Sequence, residues 1–213
     1  MALQFGNAKP KLMYGNSKVK LMYGSTKLYS SGSAVSYYDG ATLIGTLDVD
    51  EGLDVLHPDL PLSKDGYTLV GWKYNDERVE TLAANGESMA VYAIYLPNTL
   101  VVAKGVVGTG SYTQQIYDAN YISGSIGNSD RVSWGNGYVS ATFTVNAGLY
   151  QTVSGTTSVN GGGHGFHIYE VTPDVTKSGT YTVSSYFDSA GEGTYYCAVG
   201  VNQITLSNPR AWT

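Results

Sequence analysis

Apolar and polar residues alternate along short runs, and turns rich in glycine and asparagine cut the runs apart. In Lys18 to Tyr23, Val19, Leu21 and Tyr23 fall on one face of an extended chain, and Lys18, Lys20 and Met22 on the other. The pattern recurs about every nine residues: Lys11-Leu12-Met13-Tyr14, then Lys20-Leu21-Met22-Tyr23, with a weaker copy at Leu3-Gln4-Phe5. Each copy closes on Gly6-Asn7, Gly15-Asn16 or Gly24-Ser25, residues that tolerate the positive φ of tight hairpins. The spacing predicts a meander of three or four short strands over residues 1–33. So small a sheet is marginal alone. Its apolar face must be covered by the rest of the chain or by another subunit, and Leu12, Tyr14, Leu21 and Tyr23 are the expected docking contacts.

Ser30-Ser31-Gly32-Ser33 reads as a short linker, and residues 34–97 follow as a second module. Val35 to Tyr38 reads as a strand, Asp39-Gly40 as a turn and Thr42 to Gly45 as the returning strand. Asp48, Asp50, Glu51 and Asp54 suggest an acidic loop, and Pro58 and Pro61 bracket a stretch unsuited to regular sheet. Gly66 to Tyr74 and Met89 to Leu96 are aromatic and β-branched, as strands are.

Residues 98–213 form a third region. Strands are expected at Thr99–Val107, Thr113–Tyr117, Ser129–Trp134, Tyr138–Val145, Gly165–Val171, Thr180–Phe187, Gly193–Val201 and Gln203–Leu206. Asn136-Gly137, Asn146-Ala147-Gly148, Asn160 to Gly163, Ser178-Gly179 and Ala190-Gly191 read as the turns between them. Strands at this spacing predict an antiparallel β-sandwich or jelly roll. No long segment keeps a helical period, so the expected class is all-β.

Composition sharpens this picture. Charged residues make up 14% of the 213 positions, against roughly 25% in an average soluble domain. Few charges suit a subunit that shares its surface with neighbours. With a net charge of −5 and no dense basic patch, a nucleic-acid partner is not expected, and the lysines at 9, 11, 18, 20 and 27 read as a solvated face. No apolar run is long enough for a membrane-spanning helix. No signal-peptide pattern is visible at the N-terminus, which predicts use without Sec export. The single cysteine, Cys197, excludes an internal disulfide and sits in an apolar run as a small buried hydrophobe would.

Candidate chemistry is sparse. His164 and His167 are three apart, which on a strand points them to opposite faces. The acidic group from Asp48 to Asp54 has the density of a calcium loop but places its glycine at the fifth position instead of the sixth. Ser123 to Gly127 is a turn sequence and not a nucleophile elbow. The glycine runs lack the Lys-Ser/Thr of a phosphate loop. The expectation is therefore no enzyme, no cofactor and no metal. Exposed aromatics could stack on a sugar, and Tyr112, Tyr117, Tyr121, Trp134, Tyr138 and Tyr150 are candidates. Most read better as core or interface tyrosines. Trp134 and Tyr138 are kept as candidate glycan contacts.

Two resemblances add to this. Tyr37-Tyr38-Asp39-Gly40, Gly66-Tyr67 with Gly71-Trp72, and Val91-Tyr92-Ala93-Ile94-Tyr95 resemble the Listeria–Bacteroides (internalin B-type) repeat. This resemblance implies a small β-grasp-like module without chemistry, with Trp72 as a core anchor. Tyr95 stands where that family usually carries tryptophan. The N-terminal Lys-x-Lys-x-x-Tyr-Gly-Ser-Thr type repeat looks like those in virion proteins of phages of Gram-positive bacteria. Together they imply a non-enzymatic structural subunit of a bacteriophage particle, an accessory or decoration protein on capsid or tail. Its expected partners are other virion proteins and copies of itself, as a homo-oligomer such as a trimer, assembled into the virion in the host cytoplasm. The alternative is a receptor-binding adhesin whose C-terminal sandwich binds a host-cell glycan. A bacterial cell-surface protein with the same repeat is disfavoured by the missing export and wall-anchor signals.

Overall fold

The computed structural model describes residues 13–14, 17–18, 21–23, 26–29, 32–105, 116–132, 136–162, 166–189 and 195–211. Every helix or strand among them is a strand, so the chain is all-β as its pattern predicts. The N-terminal repeats give β1 (Met13–Tyr14), β2 (Ser17–Lys18), β3 (Leu21–Tyr23) and β4 (Thr26–Tyr29). Among the described residues they do not share one meander. β1 pairs with β2 and β3 with β4, each an antiparallel two-stranded ladder. The described strands thus pair two by two, β1 with β2 and β3 with β4, where the sequence suggested one strand per repeat in a single meander.

The chain divides into two compact units. The first comprises Met1–Lys64, Leu69–Tyr95 and Trp212–Thr213, and the second Asp65–Thr68 and Leu96–Ala211. A five-stranded mixed sheet is built from β5 (Gly32–Asp39), β6 (Thr42–Asp50), β7 (Tyr67–Tyr74), β8 (Glu77–Val79) and β9 (Met89–Pro97), in the order β6-β5-β9-β7-β8. β5 runs parallel to β9, and hairpins β5–β6 and β7–β8 flank that central pair. This is the arrangement of a β-grasp-like sheet. The β7–β8 turn is Asn75-Asp76, both at positive φ (52° and 62°), which these short polar side chains accept. Under the sheet, the Tyr37 ring meets Trp72 edge-on at 5.7 Å, and its hydroxyl donates to the Val55 carbonyl at 2.9 Å. Trp72 is 5% exposed and is a core anchor. The Tyr95 hydroxyl donates to the Leu62 carbonyl at 2.8 Å.

Two sequence expectations fail in this unit. The linker at 30–33 does not extend to its end: β5 starts at Gly32, and Ser33 is buried, its hydroxyl accepting from the Gly86 amide at 3.0 Å. Nor do Asp48 and Asp50 belong to an acidic loop. They are the exposed positions of β6, alternating with Leu47 and Val49, which pack on the core. The alternation is a strand signal that the charge density obscured.

The second unit is a sandwich. Its larger sheet holds β10 (Thr99–Lys104), β11 (Ile116–Tyr117), β13 (Gly127–Val132), β15 (Tyr150–Gly162) and β18 (Tyr195–Pro209). The smaller holds β12 (Ile122–Gly124), β14 (Gly137–Val145), β16 (Phe166–Val171) and β17 (Gly179–Ser189), in the order β12-β14-β17-β16. One core lies between them, with Val139, Ala141, Phe143, Val183 and Phe187 from the small sheet facing Val102, Val153, Val199, Ile204 and Leu206 from the large one. β18 organises the large sheet. One side pairs with β15 from Tyr150↔Pro209 to Gly162↔Tyr196, and the other is shared by β10 and β13. Cys197, on β18, is buried as expected.

Three further expectations are corrected here. Gly193–Val201 and Gln203–Leu206 are not two strands, because β18 runs through Asn202. There Thr156 pairs with Gln203 and Thr157 with Val201, so Asn202 is the extra residue of a β-bulge. The bulge shifts the buried positions from Cys197, Val199 and Val201 to Ile204 and Leu206, a change of phase that imitates a strand end. Asn160 to Gly162 is not a turn but the end of β15, paired with Ala198, Cys197 and Tyr196. Finally, β15 runs where the sequence pattern predicts no strand. It is long but rich in Ser, Thr and Gly, with few large apolar residues to mark its period.

Candidate functional site: a tyrosine row on the small sheet

β14 and β17 are antiparallel with Tyr138 directly opposite Tyr186, and β17 and β16 are antiparallel with Tyr186 opposite Tyr169. Opposed residues in a ladder point to the same side. Phe187 and Val139, one step along their strands, fill the core, so these three tyrosines line the outer face. They are 64%, 37% and 58% exposed in the order Tyr138, Tyr186, Tyr169. The rings of Tyr169 and Tyr186 are 5.8 Å apart and tilted by 42°. They are not laid face to face, unlike Tyr38 and Tyr92 of the first unit, which stack at 5.1 Å and 21°.

The next positions on the same face are Ser140, Ser184 and Val171, then Thr142 with Thr182, then Thr144 with Thr180. The two threonine pairs are joined hydroxyl to hydroxyl, at 3.0 and 2.9 Å. None of these side chains is charged, whereas the row on the other side of the tyrosines places Asp188 opposite His167. The face therefore presents an aromatic row beside a hydroxyl field on a rigid sheet.

Of the sequence candidates, Tyr138 belongs to this row. Trp134, Leu12 and Tyr112 lie outside the described residues. Tyr14 lies on β1 and Leu21 and Tyr23 on β3, but their side chains are outside the described set. Tyr117 is exposed on β11, in the other sheet. Tyr121 and Tyr150 are not surface platforms: they meet edge-on at 6.0 Å, and Tyr150 is part of the core. Burial, followed by the proximity of Tyr121, pushes the Tyr150 phenol up to about 12. Tyr186 and Tyr169 went unnoticed because nothing local marks them. Only the cross-strand register brings them beside Tyr138.

Two other polar features lie away from this face. A shallow groove of about 340 Å³ lies over the Asn202 bulge, lined by Ser154, Gly155, Thr156, Asn202, Gln203 and Thr205. Its amides are already engaged, Asn202 Nδ2 donating to Thr156 Oγ1 at 3.2 Å and Gln203 Nε2 to Thr205 Oγ1 at 3.0 Å. In the first unit, Asp54 Oδ2 sits 2.5 Å from His57 Nδ1. Partial burial pushes the Asp54 carboxyl up, but hydrogen bonds from His57 and from the Leu56 and Val55 amides outweigh it and hold it below the usual carboxylate range. Among the described residues no group of three or more His, Cys, Asp or Glu is placed to hold a metal ion.

No protein-family model matches the chain, and neither a curated protein nor a solved structure matches it.

Proposed function

We propose that this protein is a non-enzymatic structural subunit on the outside of a bacteriophage particle, an accessory or decoration protein of capsid or tail. The pair of N-terminal hairpins is the observation that supports this reading best. β1–β2 holds the pairs Met13↔Lys18 and Tyr14↔Ser17, and β3–β4 holds only Leu21↔Tyr29, Met22↔Lys27 and Tyr23↔Thr26. Two-stranded ladders of that size are not stable by themselves in water. Their edges suit addition to a neighbouring sheet through main-chain hydrogen bonds. The repeat that encodes them resembles virion-protein repeats, and the low charge of the chain suits a surface shared with neighbours. The partners in this reading are other virion proteins and further copies of the chain.

Deletion of residues 1–29 tests it. Particles produced with the truncated protein are purified and their protein content measured, while circular dichroism and thermal denaturation follow the fold of the remainder. The expected result is loss of incorporation with the β fold kept. Full incorporation of the truncated protein overturns the proposal.

A further inference from the structure

We infer that the tyrosine row of the small sheet is a binding site for a neutral glycan chain lying across β14, β17 and β16. Three adjacent strands set the row's length at about 10 Å, two inter-strand spacings, which suits a short run of sugar rings. The three rings are presented to solvent instead of being packed under another element. A pyranose offers an apolar C–H face and a rim of hydroxyls. Here the aromatic faces of Tyr138, Tyr186 and Tyr169 meet the first requirement, and Ser140 with the Thr142–Thr182 and Thr144–Thr180 pairs meet the second.

Charge decides the class of glycan. From the tyrosines toward Thr144 and Thr180 no side chain is charged, and in the row on their other side the Asp188 carboxylate, opposite His167 in the ladder, disfavours a carboxylate or sulfate. The complement of such a face is an uncharged chain of hexoses or N-acetylhexosamines. The platform is set by ladder hydrogen bonds on both sides of Tyr186, so little conformational freedom is lost on binding. The inference is independent of the particle reading. It stands or falls with this face, whatever residues 1–29 do.

The test is a titration of the full chain with cellohexaose and with chitohexaose, and with an oligogalacturonate as the acidic control. Calorimetry gives the affinity, and NMR shifts of the tyrosine rings give the site. A neutral oligomer is expected to bind and to move the Tyr138, Tyr169 and Tyr186 resonances, while the acidic control does not bind. Tyr138→Ala and Tyr186→Ala should each weaken binding by about tenfold or more. Tyr186→Phe should retain most of it, and Tyr117→Ala on the other sheet should leave it unchanged. Three results overturn the inference: no binding of either neutral oligomer at millimolar concentration, ring shifts confined to other residues in the unmodified chain, or a concentration-dependent oligomer that Tyr186→Ala dissolves. The last would make the face a contact between copies of the chain.

Discussion

Gly137 stands opposite Phe187 in the ladder between β14 and β17, and the phenyl ring occupies the space a side chain at Gly137 would need. A Cβ there would lie 2.6 Å from Phe187 Cε1 and closer still to Cζ. Phe187 is fully buried and has nowhere to retreat. Gly137→Ala is therefore expected to cost about 1–3 kcal/mol through overpacking. A urea midpoint equal to that of the unmodified chain would show that the ring can move aside.

The Tyr37 hydroxyl sets a second expectation. Tyr37→Phe removes the donor to the Val55 carbonyl and leaves that acceptor buried, which costs about 1–3 kcal/mol. Trp72→Ala in the same core opens a cavity and should cost about 3–5 kcal/mol. Because the two side chains touch, the double variant should lose less than the sum, and denaturation of all four proteins measures the coupling.

Tyr150 predicts an alkaline limit. Its folded pKa is raised from 10.0 to about 12, so below pH 10 both folded and unfolded states keep the proton and stability does not depend on this group. Above pH 10 the unfolded chain ionises first, and stability falls as pH rises toward 12, with a slope of at most about 1.4 kcal/mol per pH unit. The Tyr150 hydroxyl is buried with no hydrogen-bond partner among the described residues, so Tyr150→Phe should cost little at neutral pH. It should also flatten the decline between pH 10 and 12. Denaturation midpoints measured across that range check both halves.

Cys197 offers a probe of opening. It is buried on the central strand β18, and burial raises its thiol pKa although a hydrogen bond with Ser185 works the other way. A thiol reagent such as DTNB should react with it slowly in the native protein and stoichiometrically in denaturant. Fast labelling of the native protein would mean that β18 frays far more readily than its pairing on both sides suggests.

The fold class was legible in the sequence because the alternation of Val139, Ala141, Phe143 and Val145 with polar neighbours is a period-two signal that needs no tertiary context. The turn that follows Asp39 was legible for a similarly local reason, one residue early, whereas the burial of Trp72 was implied by the resemblance to the repeat family. What stayed hidden depended on pairing. β15 has few large apolar residues and is held by β18. The bulge at Asn202 cannot be told from a strand end without its partner Thr156. Likewise, Tyr138 could be singled out as an aromatic next to a turn, whereas Tyr186 and Tyr169 joined it only through register.

The position of β18 in the large sheet also has a cost in time. A ribosome decodes it after every strand it joins, so Thr99 waits for Ser207 and Tyr150 for Pro209 before either finds its neighbour. Closing contacts across such sequence distances is slow, and the inner faces of the earlier strands stay open to water meanwhile. Synthesis of this sandwich therefore passes through a window in which an unfinished, sticky sheet is the main hazard, and chaperone dependence should be concentrated there.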